Sequence, residues 1–152
     1  MPQDLIPFGE AQALPKRGIT DETCRKFGYT IGEHHGEPVQ IATYRDGSGT
    51  PVAQKLRFKD KQFKFIGDTK KAGLFGQHLW RSEGSKMLVI TEGEIDALSM
   101  SQVQGNRFPV VHVMRIRTKQ NPWHNNPDLN LKQTHLFPVV DFVLFRDFLC
   151  AL

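Results

Sequence analysis

Cysteine is nearly absent from this chain: Cys24 and Cys150 are the only two in 152 residues. They lie far apart and join no Cys-x-x-Cys pair or Cys/His cluster. That excludes a zinc module and a disulfide framework. No apolar run approaches the roughly 20 residues of a membrane span. The opening "MPQDLIPFGE" has no basic stretch followed by an apolar one, so it does not read as a secretory signal. No glycine-lysine loop of the Walker A kind occurs, which excludes a nucleotide-driven motor in these residues. Neither sign of charge dominates: Lys plus Arg is 20 and Asp plus Glu is 16, a net +4. That balance permits a polyanionic partner without requiring one. A reducing cytoplasm is the default compartment, and the length suits one domain or one and a fraction.

What is present is unevenly placed. Residues 55–71, "KLRFKDKQFKFIGDTKK", carry seven Lys or Arg against two acids, Asp60 and Asp68. Residues 1–15 read as a lead-in or linker. "ITDETCRKFG" predicts a short helix with Thr20 as N-cap, Asp21 and Glu22 in its first turn and Gly28 as its stop. Four strand-like runs follow, "YTIGEH", "VQIATYRD", "PVAQKLRF" and "FKFIG", joined by short turns at "HGEP", "GSG" and "KDKQ". Alternation of Val39, Ile41 and Thr43, and of Val52, Gln54, Leu56 and Phe58, predicts an antiparallel sheet with one buried face. "KKAGLFGQHLW" reads as a loop with a single helical turn, its His78 and Trp80 as packing residues. The His34–His35 pair falls at an exposed turn.

After Gly84 the pattern changes. "KMLVITEG" predicts a central strand and "EIDALSMSQVQG" a helix with Ile95, Leu98 and Gln102 on one side, widened by Met100 and Val103. "RFPVV" predicts a second strand. Strand, helix, strand in this length is one βαβ unit. Ligands of open α/β sheets bind at the carboxyl ends of strands. The stretch "TEGEID" puts Glu92 at such an end and Asp96 one helical turn further, where both can converge. Glu94 is expected on a different helix face. Carboxylates so placed suit Mg²⁺, a hard cation that prefers oxygen ligands. Acids in a helix's first turn are equally ordinary complements of the helix dipole. Likewise the lysine-rich segment is either a phosphate-binding row or a solvated face. Phe58, Phe63 and Phe65 either stack bases or form the apolar face of a strand pair.

The ordered set "RGITDETCRKFGY", "VQIATYRDGSGTPVAQKLRFKDKQFKFIG", "GLFGQHLW", "LVITEGEIDALS" and "FPVV" resembles the bifunctional DNA primase–helicases of T-odd phages, which are related to the mitochondrial Twinkle helicase. The resemblance spans roughly residues 16–111. It implies an α+β chain: a small antiparallel basic subdomain at 16–83, then the start of a Toprim domain at 84–111. It implies synthesis of short RNA primers on a single-stranded DNA template from ribonucleoside triphosphates with Mg²⁺, inside an infected bacterium and beside other replisome proteins. By the same resemblance Glu92 acts in general acid/base chemistry or metal-assisted positioning, and Asp96 shapes the Mg²⁺ pocket. Lys55, Arg57, Lys59, Lys61 and Lys64 contact template and nucleotide phosphates.

Two departures qualify this expectation. The zinc module that often precedes the primase in the family is missing, so no zinc is expected. A Toprim domain should also continue to a strand ending in an Asp-x-Asp pair, and residues 112–152 contain none; Asp141 and Asp147 are six apart. Two readings of this tail stay open: a disrupted reading frame, or a divergent native tail whose end forms a strand or helix. With the acidic pair missing, the metal site is expected to be incomplete and primer synthesis by this chain alone negligible. The competing function is a non-catalytic single-stranded DNA binder or replisome-interacting fragment that uses only the basic segment.

Overall fold

The computed structural model describes residues 4–7, 9–80, 87–112 and 141–145. Helix α1 (Asp21–Phe27) begins where expected: the Thr20 hydroxyl accepts from the Thr23 N–H at 3.3 Å. Asp21 and Glu22 occupy its first turn, and Gly28, with φ 68°, takes the left-handed conformation that ends it. Strands β1 (Tyr29–His34), β2 (Glu37–Arg45), β3 (Pro51–Arg57) and β4 (Phe63–Gly67) follow as an antiparallel sheet in chain order. Pairing sets Ile41 opposite Leu56, Lys55 opposite Phe65 and Arg57 opposite Phe63.

This sheet is covered on both faces, where alternation predicted one. Val39, Ile41, Leu56 and Ile66 are buried on one side beneath Leu5, Ile6 and Phe58. Tyr29, Ala42, Tyr44 and Ala53 are buried on the other, with Cys24, Phe27, Phe75, Ile95 and Leu98. Each fully buried Val, Leu, Ile or Phe among these stabilises the fold by about 1.5–3 kcal/mol relative to exposure. The second cover comes from the opening residues, expected as a lead-in. The Gln54 side chain accepts from the Ile6 N–H at 2.8 Å and donates to the Ile6 carbonyl at 3.0 Å. Glu10 forms an antiparallel bridge with Ile31. Those residues lie docked because a buried Gln gives their backbone the partners that a strand would.

Strand β5 (Met87–Thr91), helix α2 (Glu94–Val103) and strand β6 (Val110–His112) form the expected βαβ unit, with β5 and β6 parallel. Ile95, Ala97, Leu98 and Ser101 are buried, whereas Val103 is 80% exposed and does not extend the apolar side. Gln102 is on the inner side but acts as a polar clamp. It accepts from the Thr20 N–H at 2.8 Å and donates to the Gly18 carbonyl at 2.7 Å, fastening α2 to the start of α1. Gln77–Leu79 make the single helical turn of the connecting loop. Ahead of that turn, Phe75 is buried and bridges His112 through its backbone. Trp80 packs against Leu88, Ile90 and Val111, but His78 is exposed and does not pack as expected.

A third parallel strand, β7 (Asp141–Phe145), pairs with β5 on the side away from β6, with Thr91 opposite Phe145. Part of the tail therefore extends the βαβ sheet as a strand. The remainder of residues 113–152, where the Asp-x-Asp strand end was sought, lies outside the described residues. Cys24 is free and buried, and burial pushes its thiol up to about 11.

Candidate functional site

A cleft of about 340 Å³ opens where the antiparallel sheet faces the β5–α2 turn. From the sheet side come Tyr29, Ala42, Lys55, Arg57 and Phe63, together with Arg17 from the turn before α1. Glu92, Gly93, Glu94, Ile95 and Asp96 line the opposite wall. Strand alternation explains the first wall: Ala53, Lys55 and Arg57 share a face, and their cross-strand partners Phe65 and Phe63 share it too. The end of β5 explains the second. Its chain leaves the sheet at Glu92, and α2 starts two residues later.

The acids differ sharply. Glu92 is exposed at the rim, and Asp96 is half-buried behind it. Gly93 allows this arrangement, because a Cβ there would lie 2.9 Å from an Asp96 carboxylate oxygen. Burial raises the Asp96 carboxyl above its ordinary value. His112 and Arg17 oppose that rise, and the charges of Glu94 and Glu92 add to it.

Glu94 overturns the expectation that it points away. Its side chain turns inward and is buried. Lys55 Nζ lies 2.9 Å from Oε1 and 3.0 Å from Oε2, and the Tyr44 hydroxyl donates to Oε1 at 2.5 Å. Helical spacing alone separated Glu94 from its neighbours; a cation and a hydroxyl on the facing sheet draw it in. Burial pushes the Glu94 carboxyl up, but the charges of His112 and Lys55 and the two hydrogen bonds outweigh it, and the net shift is downward. The Tyr44 phenol is raised by burial and by Glu94. His112 is buried, with Nδ1 3.1 Å from the Thr91 carbonyl. A carbonyl only accepts, so Nδ1 carries a proton, and Nε2 lies 3.5 Å from Glu94 Oε1. Burial lowers the His112 pKa below 6.5, against the pull of Glu94. Lys55 is the cation in direct hydrogen-bonding contact with both Glu94 carboxylate oxygens.

The five basic positions therefore separate. Lys55 and Arg57 reach the cleft, but Lys55 is engaged by Glu94. Lys59 and Lys61 lie in the exposed turn between β3 and β4, outside the cleft lining. Lys64 projects from the other face of β4, with Nζ 3.2 Å from His34 Nε2. The three phenylalanines separate too: Phe58 packs under the sheet, Phe65 lies 6.4 Å from Tyr44 by ring centroids, and Phe63 is exposed. Sequence reasoning missed Arg17 and Tyr29. Arg17 belongs to a short turn after Pro15, and no periodicity marks it as facing a strand end so far along the chain. Among the described residues no group of three or more His, Cys, Asp or Glu side chains stands ready to hold a metal ion. Two carboxylates at the mouth, Glu92 and Asp96, nevertheless offer the hard oxygen donors that suit a Mg²⁺ completed by phosphate and water.

Residues 9–67 match the family described as Bacteriophage T7 DNA helicase/primase, N-terminal a+b fold. The chain is 44% identical over 115 residues to a DNA helicase/primase of Enterobacteria phage T3, which covers 73% of this chain and 20% of that relative. The chain thus spans about a fifth of the length of that curated relative. The primase fragment of the bacteriophage T7 primase-helicase superimposes with a TM-score of 0.76 at 35% identity, over 97% of this chain and 61% of that one. A second T7 structure shows primase domains bound to an RNA/DNA hybrid and dTTP and interacting with the lagging-strand DNA polymerase. It matches at TM-score 0.76 and 38% identity, over 92% of this chain and 69% of that one.

Proposed function

The chain belongs to the bacteriophage T7-type DNA helicase/primase family, and from that premise we propose that its cleft is the template- and nucleotide-binding centre of a primase. The substrates are single-stranded DNA and ribonucleoside triphosphates, and the product is a short RNA primer. The observation that carries this reading is the opposition of walls: Arg17 and Arg57 face Glu92 and Asp96 across one cleft. Among the described residues neither arginine is ion-paired. Their planar, permanently charged guanidiniums match phosphate oxygens in pairs.

Mg²⁺, held by Glu92 and Asp96, would supply electrostatic stabilisation of phosphoryl oxygens. The chain's own residues do the rest. Arg17 and Arg57 bind phosphate, and Glu92 at the rim orients or deprotonates an attacking hydroxyl. Glu94, neutralised by Lys55, fixes the start of α2 and with it Asp96. The polymerase and hybrid contacts of the T7 relative make a replisome partner a natural extension of the same reading.

The test supplies the full chain with a single-stranded template, labelled ribonucleotides and Mg²⁺. Nucleotide binding that requires Mg²⁺ and fails in Glu92→Gln is expected, with little primer formed by this chain alone. Binding indifferent to both would overturn the reading. Salt-sensitive DNA binding with no nucleotide binding would assign the cleft to the non-catalytic role. Abundant primers would place further ligands in the tail.

A further inference from the structure

Phe63 is the large apolar side chain that the cleft leaves open. It sits on β4, an edge strand of its sheet, and is 52% exposed, while the other aromatics of that wall are buried or half-buried. Lys55 Nζ lies 4.7 Å from its ring centroid and the Arg57 guanidinium carbon 5.7 Å. Fold stability does not explain the exposure. Phe65, two residues on, packs into the core from the same face, so an apolar residue at 63 adds little to that cluster. Each such cation–π contact is worth about 0.5–1 kcal/mol at an exposed site, and the ring stays half exposed. The result is an exposed aromatic surface beside Arg57, which has no ion-pair partner among the described residues, in a cleft large enough for one nucleotide-sized group.

We propose that Phe63 is a stacking platform for a nucleobase whose phosphate is held by Arg57. This rests on the reading of the cleft as a nucleotide and template site, and it adds a base subsite to the phosphate sites. Stacking tolerates any base, because every base presents a π-face, so the subsite contributes affinity rather than sequence choice. The shared chemistry is a base joined to phosphate. It belongs either to the template strand or to an incoming nucleoside triphosphate, and the two arms of the test separate these.

In the first arm a single-stranded oligonucleotide is compared with its abasic counterpart, which keeps the phosphates and lacks the bases. In the second, ATP is compared with inorganic tripolyphosphate. The full chain, Phe63→Ala and Phe63→Trp are titrated with each ligand in the presence of Mg²⁺. In at least one arm the wild type is expected to prefer the base-bearing ligand by roughly 5- to 150-fold, the equivalent of about 1–3 kcal/mol per stacked base. Phe63→Ala should lose that preference while its affinity for the abasic strand or tripolyphosphate is unchanged; Phe63→Trp should keep it. The arm that responds identifies the source of the base. A preference that survives in Phe63→Ala, or wild-type affinity equal for both members of each pair, overturns the proposal and leaves the phosphate-binding cleft standing. Failure to bind any of the four ligands overturns the cleft reading and this proposal together.

Discussion

At the scale of single residues, Glu94 ties the two walls of the cleft. Its carboxylate accepts from Tyr44 on β2 and pairs with Lys55 on β3, while its backbone begins α2. Removing one member of a buried pair leaves the other charged and unpaired, at a cost of about 3–5 kcal/mol. Glu94→Ala should lower stability by that amount in urea denaturation, and a loss below ~1 kcal/mol would mean that water already screens the pair. His112 adds a pH dependence. Its folded pKa is depressed, so its contribution is present above its ordinary value of 6.5 and is lost as pH falls through the folded value. Glu94, also depressed, loses its contribution below 4.5. Asp96, raised, has the opposite sign and offsets part of that second loss. Stability should therefore begin to fall below about pH 6.5, ahead of the ordinary carboxylate range. His112→Asn, which keeps a donor for the Thr91 carbonyl, should hold stability level over that first interval. Equal slopes for the two proteins in pH-dependent melts would contradict the assignment.

At the scale of elements, the legible parts were those set by local chemistry. Thr20, the first-turn acids and Gly28 mark both ends of α1, and Gly36, Gly47 and Gly49 mark the first two hairpin turns. What stayed hidden depends on residues far apart in sequence. Nothing around Gln54 announces that it docks the opening segment. Nothing around Glu94 announces a lysine 39 positions earlier, and Gln102 looked like a helix-face residue until α1 lay beside it. Gly76 belongs to the hidden class. It has φ 86°, and a Cβ there would meet Phe27 Cε1 at 2.7 Å and the Val110 carbonyl at 2.9 Å. The loop thus passes through a gap between α1 and β6 that admits only glycine. Gly76→Ala combines left-handed strain with a backbone clash, so a loss of about 2–3 kcal/mol is expected. A melting temperature unchanged within a degree would show that the loop moves freely away from β6.

For the whole molecule, a basic antiparallel sheet and an acidic strand-to-helix turn come together as two walls of one cleft. The sequence showed both walls and the residue types on each. It did not show which cations face the acids, because that depends on strand face and on pairing. Lys55 is neutralised by Glu94, and Lys59, Lys61 and Lys64 lie away from the cleft, so Arg17 and Arg57 are expected to carry the phosphate contacts. Arg17→Ala with Arg57→Ala should flatten the salt dependence of single-strand binding by about 1.4 units of log K against log salt, at ~0.7 per contact. Lys59→Ala with Lys61→Ala should leave the slope unchanged. The reverse result would move the nucleic-acid path onto the β3–β4 turn.

The central proposal is that Glu92, just after β5, and Asp96, in the first turn of α2, hold Mg²⁺ against substrate phosphate. Calorimetric titration of Mg²⁺ into the full chain, with and without ATP and for wild type and Glu92→Gln, tests it most directly. Weak binding without nucleotide is expected, since two carboxylates fill only part of an octahedral shell. ATP should strengthen it in the wild type alone, and acidification into the raised range of Asp96 should weaken it, because proton and metal compete for one carboxylate. Mg²⁺ binding that is the same in Glu92→Gln, or that ATP leaves unchanged, would contradict the account.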